Sequence, residues 1–184
     1  MGHPIGTRCS ARCGLWSTPW LIYRVYSGLD ERGRGVSTPM IYRSSKILGG
    51  YPCAHRKWRH EGHCAWIHGY ARTFTFWFEA HHRDENGFVM DFGQLKEVHA
   101  WLTDHFDHTT LIDADDPLLD DFRALEAKGG CKLVVLEDVG MEGSAKFVFD
   151  WADAWVKRKT DDRVWLRSVE VRETEKNSAI FSRV

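Results

Sequence analysis

An α+β domain is what this sequence predicts, on three observations: a long period-two stretch in its middle, two amphipathic helical stretches after it, and a second alternating stretch near the end. Antiparallel strands with two main helices packed on one face make an α+β arrangement, as opposed to a doubly wound parallel sheet. With 184 residues, 43% of them hydrophobic and 13% aromatic, the chain has enough apolar surface for one compact core.

Residues 1–39 mix Gly, Pro, Ser, Arg and Trp without sustained periodicity, and the composition shifts near Met40. They are predicted to be a poorly ordered extension, with the folded domain over 40–184. Residues 41–51 fit a first strand and 56–63 a polar loop. Over 68–82, Tyr70, Arg72, Phe74, Phe76 and Phe78 alternate with Ala71, Thr73, Thr75, Trp77 and Glu79, which is the period of a strand. Aromatics on both faces predict that both are covered. Asp84-Glu-Asn-Gly87 closes a turn, because Asn-Gly favours the positive φ that tight hairpins need, and residues 88–92 would return as a partner strand.

Leu95, Val98, Leu102 and Phe106 recur at spacings of three and four and predict a helix over 93–106. A shorter helix over 118–127, ended by Gly129-Gly130, and a buried strand over 131–136 follow. Val148, Trp151, Ala152, Trp155 and Val156 form the apolar stripe of a helix over 143–158, opposite Asp150, Asp153 and Lys157. Asp161-Asp162 ends it. Residues 164–174 alternate as a last long strand, and 179–184 fit a further edge strand.

Charge and cysteine usage narrow the function classes. Lys plus Arg number 25 against 26 Asp plus Glu, so no global basic field is available to neutralise phosphate, which disfavours a nucleic-acid partner. Five cysteines are an odd count in a chain large enough to fold without staples, which predicts reduced thiols and a cytoplasmic setting. The apolar run over 15–26 is too short and too polar to span a membrane, and the amino terminus lacks the pattern of a secretory leader. Cys9-Ser-Ala-Arg-Cys13 is a weak metal signal, because no second pair completes four ligands.

The chemistry concentrates elsewhere. Tyr51-Pro-Cys-Ala-His55 and Cys64-Ala-Trp-Ile-His68-Gly-Tyr70 place two imidazoles, two thiols and two phenols within twenty residues on two adjoining strands. A catalytic zinc takes about three protein ligands and leaves a fourth position open, so this cluster points to a metal site with a reactive cysteine beside it. Singly, each residue has a plainer reading as a packing histidine, a small buried thiol or a cross-strand charge.

These islands, with Asp107-His108, Arg172-Glu173-Thr174 and Gly87-Phe-Val-Met-Asp-Phe-Gly-Gln-Leu-Lys96, resemble the 6-pyruvoyltetrahydropterin synthase and 6-carboxytetrahydropterin synthase family. The resemblance covers most of residues 51–174. It implies the tunnelling fold, an antiparallel sheet with two main helices on one face, assembled as trimers or hexamers with active sites between subunits. It implies His55 and His68 as zinc ligands, Cys64 as general base, Asp107 and His108 as activating and relaying partners, and Glu173 as the pterin anchor. The reaction implied is that of a zinc-dependent lyase on 7,8-dihydroneopterin triphosphate. It releases acetaldehyde and triphosphate to give 6-carboxy-5,6,7,8-tetrahydropterin on the route to queuosine and other 7-deazapurines. Triphosphate elimination to 6-pyruvoyltetrahydropterin, or pterin binding without catalysis, are the alternatives.

The chain departs from the family pattern at Tyr70, which replaces the second histidine of a His-Gly-His motif and shares a strand face with His68. Tyr70 or the nearby His63 is left to complete the metal site. A phenol binds zinc only after losing a proton from a reference pKa of about 10, which costs more than using imidazole. Ile112 and Gly143-Ser-Ala-Lys146 also differ from common family residues. Arg56, Lys57 and Arg59 are candidates for the triphosphate by charge, weighed against a solvated basic loop.

Overall fold

A computed structural model describes residues 40–184; residues 1–39, with the expectations placed on them, lie outside the described residues. Six strands form one sheet: β1 (Tyr42–His55), β2 (His68–Ala80), β3 (Thr109–Asp113), β4 (Leu133–Leu136), β5 (Val164–Arg172) and β6 (Ser178–Ser182). Three helices intervene, α1 (Lys96–Phe106), α2 (Leu119–Ala127) and α3 (Met141–Lys159). The order across the sheet is β4-β3-β1-β2-β5-β6.

The α+β class holds, but the sheet is mixed. β1, β2, β5 and β6 pair antiparallel, whereas β3 runs parallel to β1 and β4 parallel to β3. A parallel return needs a crossover of a dozen residues or more, and α1 and α2 supply the two crossovers. β3 is a strand the periodicity reading passed over, although its Thr-Thr-Leu-Ile-Asp run is β-branched enough to have signalled it.

Two further expectations are corrected. Residues 88–92 do not return as a strand: both edges of β2 are already taken by β1 and β5, so no ladder is left to join. Instead the Asp84 carboxylate accepts the Asn86 and Phe88 N–H groups, and Asp91 caps a short 3-10 turn, Phe92–Leu95, that leads into α1. Nor do the described residues cover both faces of the sheet. The far face leaves Ile47 62% and Ile180 59% exposed, with Thr73, Thr75 and Trp77 half-buried.

The near face carries the core. Phe74, Phe76 and Phe78 of β2, with Val164, Leu166, Val169 and Val171 of β5, are sealed against Val98, Leu102 and Phe106 of α1 and Val148, Ala152 and Val156 of α3. Burying each such large side chain favours the fold by roughly 1.5–3 kcal/mol. Phe74 packs on Phe106, and Trp101 of α1 stacks on Trp151 of α3 at 4.3 Å, so both helices lie on this face.

Two bulges break the alternation. In β1 the register with β2 slips between Gly49 and Tyr51, where Gly50 adopts φ 86°. Before it Ser44, Lys46 and Leu48 face inward; after it Tyr51, Cys53 and His55 do. In β5 the slip falls opposite Trp77 and Phe78, with Arg167 the extra residue, so the buried positions change from Val164 and Leu166 to Val169 and Val171. Asp153, expected on the solvent face of α3, is buried instead and accepts the Leu166 N–H beside that bulge at 3.0 Å.

Candidate functional site

The site begins where the first bulge aims β1. His55 ends β1, His68 opens β2, and the antiparallel register pairs them directly. Their ring centroids lie 4.4 Å apart at a tilt of 50°. The two imidazoles are thus neighbours across the strand pair. His68 Nδ1 is 2.7 Å from the Trp66 carbonyl; a carbonyl can only accept, so Nδ1 carries the proton and Nε2 keeps its lone pair.

His55 is 4% exposed. Burial, and after it the charges of Arg72, His68 and Lys57, push its imidazole down to about 3, so it is neutral at any physiological pH. Its Nδ1 is buried without a hydrogen-bond partner. Tyr70, on the same face, brings its ring centroid 5.7 Å from that of His68 and 6.3 Å from that of His55.

The second bulge aims the other half of this corner. With the parity of β5 shifted, Glu173 continues the inward row of Val169 and Val171, and its Oε1 lies 3.5 Å from His55 Nε2 and 3.3 Å from Arg72 Nη2. Arg72 is fully buried. Its Nη1 donates to Ser144 Oγ at 2.6 Å and its Nη2 to the Val139 carbonyl at 2.9 Å.

Asp107 and His108 sit elsewhere. His108 Nδ1 meets Asp107 Oδ1 at 2.8 Å, so the two form the expected pair, but the His108 side chain is 82% exposed. Its backbone has φ 55°, the left-handed region that few non-glycine residues adopt, and its N–H is tied to the Pro52 carbonyl at 2.7 Å. His108 opens on a shallow cleft of about 410 Å³ shared with Cys53 and Tyr70; Asp107, His55 and His68 do not line it. Cys64 is half-buried on a 3-10 turn, His63–Ala65, pinned by the Lys57 N–H to its carbonyl. His63 is exposed.

A family model described as 6-pyruvoyl tetrahydropterin synthase matches residues 46–184. The chain belongs to this family. A 6-carboxy-5,6,7,8-tetrahydropterin synthase from Rickettsia felis is 31% identical over 67 residues, 36% of this chain and 49% of that one. One from Rickettsia bellii is 27% identical over 89 residues, 48% of this chain and 63% of that one. The chain thus spans about half the length of the curated relatives it matches. Among solved structures, an uncharacterised protein from Wolinella succinogenes superposes with TM-score 0.68 at 21% identity, over 79% of this chain and 99% of that one. A Plasmodium vivax 6-pyruvoyltetrahydropterin synthase superposes with TM-score 0.57 at 15% identity, over 77% and 98%. These likenesses show the fold.

As a member of this family, the chain is tested for a metal by its own donors. Two imidazoles lie side by side, the His68 Nδ1 faces a carbonyl and leaves Nε2 free of it, and His55 has an orphaned buried nitrogen. A carbonyl fixing the second nitrogen of a ligating histidine is the usual outer support of a metal site. Among the described residues no three of His, Cys, Asp and Glu are grouped to hold an ion; the Tyr70 phenol, on the same strand face as His68, is a further oxygen donor beside the two imidazoles. Two imidazoles and one oxygen fit zinc, with a weaker third bond than a histidine would give.

The basic loop is already committed. Arg56 contacts Asp116 at 3.1 Å, Lys57 bonds Asp138 at 2.7 Å, and Arg59 bonds Asp115 at 2.5 Å. Burial opposes the Lys57 charge, but hydrogen bonds to Asp138 and Asp113 outweigh it and hold the ammonium above its ordinary value. Each of the three cations thus has a carboxylate of its own, and ion pairing within the chain accounts for all of them.

Arg72 is the site residue that sequence reasoning missed. Its signal was its place: an arginine in an inward row of Phe74, Phe76 and Phe78 must find a partner, since charges are almost never buried alone. Cys53 is a contrast to Cys64. Burial pushes its thiol up, Arg72 opposes that and Glu173 adds to it, so Cys53 stays protonated.

Proposed function

We propose that this chain is a zinc-dependent lyase that converts 7,8-dihydroneopterin triphosphate to 6-carboxy-5,6,7,8-tetrahydropterin, releasing acetaldehyde and triphosphate, in queuosine and 7-deazapurine synthesis. The observation that carries this reading is the proximity of His55 and His68 beside a half-buried Glu173. Family membership and the names of the Rickettsia relatives support the same reaction class.

Each residue has a task set by its surroundings. His55, His68 and Tyr70 hold zinc, which when bound supplies Lewis-acid polarisation of oxygens on the substrate side chain. Glu173, in contact with Arg72, accepts hydrogen bonds from ring and amino N–H donors of the pterin. Cys64 takes the side-chain proton, and the Asp107–His108 pair, oriented through Nδ1, moves a proton at Nε2. The exposed pair and the uncovered far sheet face support a trimer or hexamer in which one copy's Asp107 and His108 complete the site of another. The three described cysteines are free thiols, in keeping with a cytoplasmic enzyme. Among the described residues no helix is long and apolar enough to cross a membrane.

Incubation of the zinc-loaded protein with the triphosphate, followed by mass analysis of the pterin, tests this reading. The carboxy product supports it, the 6-pyruvoyl product replaces it with triphosphate elimination, and unchanged substrate ends the enzyme assignment. Cys64→Ala is expected to abolish turnover with folding intact. The phenol at position 70 favours a second reading, a pterin-binding homologue without catalysis. That reading requires less than about one zinc per chain after chelator-free purification.

A further inference from the structure

A fully buried arginine is expensive to keep, because the cost of stripping water from a guanidinium is regained only when its donors are matched. Arg72 is matched at Nη1 and Nη2, while its Nε is buried without a partner. Nη1 bonds Ser144 in the first turns of α3, and Nη2 bonds the carbonyl of Val139, whose own N–H is held by the buried Asp113 carboxylate at 2.8 Å. Ser144 is itself buried and its hydroxyl also reaches the Val139 carbonyl. From this frame Nη2 extends to one oxygen of Glu173, Oε1, while Oε2 has no hydrogen bond among the described residues. Three elements distant in sequence, β2, the start of α3 and the end of β5, therefore meet at one carboxylate.

We propose that Arg72 is the positioning residue for Glu173: clamped by Ser144 and Val139, it fixes Oε1 so that Oε2 faces the pterin. This rests on the reading of Glu173 as pterin anchor. Arg72 touches no substrate atom. Its planar fork serves the role because it can hold the helix start and the carboxylate at once, which a lysine ammonium on a flexible stem cannot do with the same geometry.

The test is binding of 7,8-dihydroneopterin, without its triphosphate, to the full chain with zinc, followed by pterin fluorescence. Ser144→Ala removes one clamp from Arg72 and leaves the guanidinium; we expect its Kd to rise about three- to tenfold. Arg72→Lys keeps the charge and loses the fork, and its Kd rises tenfold or more, about 1.4 kcal/mol per decade. A merely structural arginine would weaken binding independently of Glu173. In the positioning role, Ser144→Ala has no further effect once Glu173→Gln has removed the anchor, a non-additivity that a double-mutant cycle reads directly. If Glu173→Gln does not fold, Glu173→Asp takes its place in the same cycle with Ser144→Ala. Folded Ser144→Ala and Arg72→Lys proteins that bind as tightly as wild type, or full additivity in the cycle, overturn the inference and leave the function standing. Wild-type protein that binds no pterin overturns both.

Discussion

The His55 corner and the Asp107–His108 cleft hold the same kinds of side chain in opposite conditions. In the first, a buried imidazole and a half-buried carboxylate sit beside a buried guanidinium, aimed by two bulged strands. In the second, an imidazole and a carboxylate pair in the open on a strained backbone turn. The contrast teaches that the corner is assembled by this chain's own core, whereas the cleft presents its pair outward. A buried polar corner fails by losing structure, and an exposed one by losing function.

The largest expected effect tests the first half of that contrast. Deleting Gly50 removes the extra residue of the β1 bulge and turns Tyr51, Cys53 and His55 to the far face. Losing the burial of Tyr51 and Cys53 alone, at roughly 1.5–3 kcal/mol for a large side chain, approaches the whole stability of a small domain. The deletion variant should show no cooperative urea transition; a wild-type transition would mean that the bulge does not set the parity.

Acid comes next. Unfolded, His55 takes up its proton near its ordinary value; folded, only at about 3. Between those values the unfolded chain holds one more proton, so stability is present above pH about 6.5 and falls as pH drops, by about 1.4 kcal/mol per pH unit. Metal-free protein should lose about 2 kcal/mol from this residue between pH 6.5 and 5, and His55→Gln should flatten that slope. An unchanged slope in the variant would assign the acid sensitivity to other groups.

Gly50→Ala isolates backbone from space. An added Cβ meets nothing within 4 Å, but the positive φ remains, so the expected cost is the left-handed penalty of about 1–2 kcal/mol. A neutral outcome in thermal unfolding would show that the bulge relaxes.

The smallest effect has the opposite sign. His108→Gly relieves a left-handed strain of about 1–2 kcal/mol at an unfolded-state cost of roughly 0.4–1 kcal/mol, a net gain of up to about 1.6 kcal/mol. The same variant should abolish turnover if His108 relays protons. A loss of stability with activity intact would reverse the roles assigned to the two regions.

Much of the fold was legible because it rests on local repetition. Leu95, Val98, Leu102 and Phe106 announced the first helix, and Phe74, Phe76 and Phe78 announced the central strand, since burial on one face imposes a period that survives in the residues. The nearness of His55 and His68 was legible for the same reason: short motifs on neighbouring strands meet wherever the strands pair. What local reading could not supply was pairing. Nothing near residues 88–92 tells that both edges of β2 are occupied by strands from elsewhere in the chain, or that residues 109–113 run parallel to β1.

By itself, then, the sequence determined which residues repeat at helical and strand spacing, and which histidines, thiols and carboxylates gather in motifs. Only the tertiary structure decided which way they point. A strand's facing is a matter of parity, and one inserted residue reverses it. Gly50 does so for His55, and Arg167 for Glu173. Whether such an insertion is absorbed as a bulge depends on the partner strand's hydrogen-bond ladder and on what the buried face accepts, and both are set by residues far away in the chain.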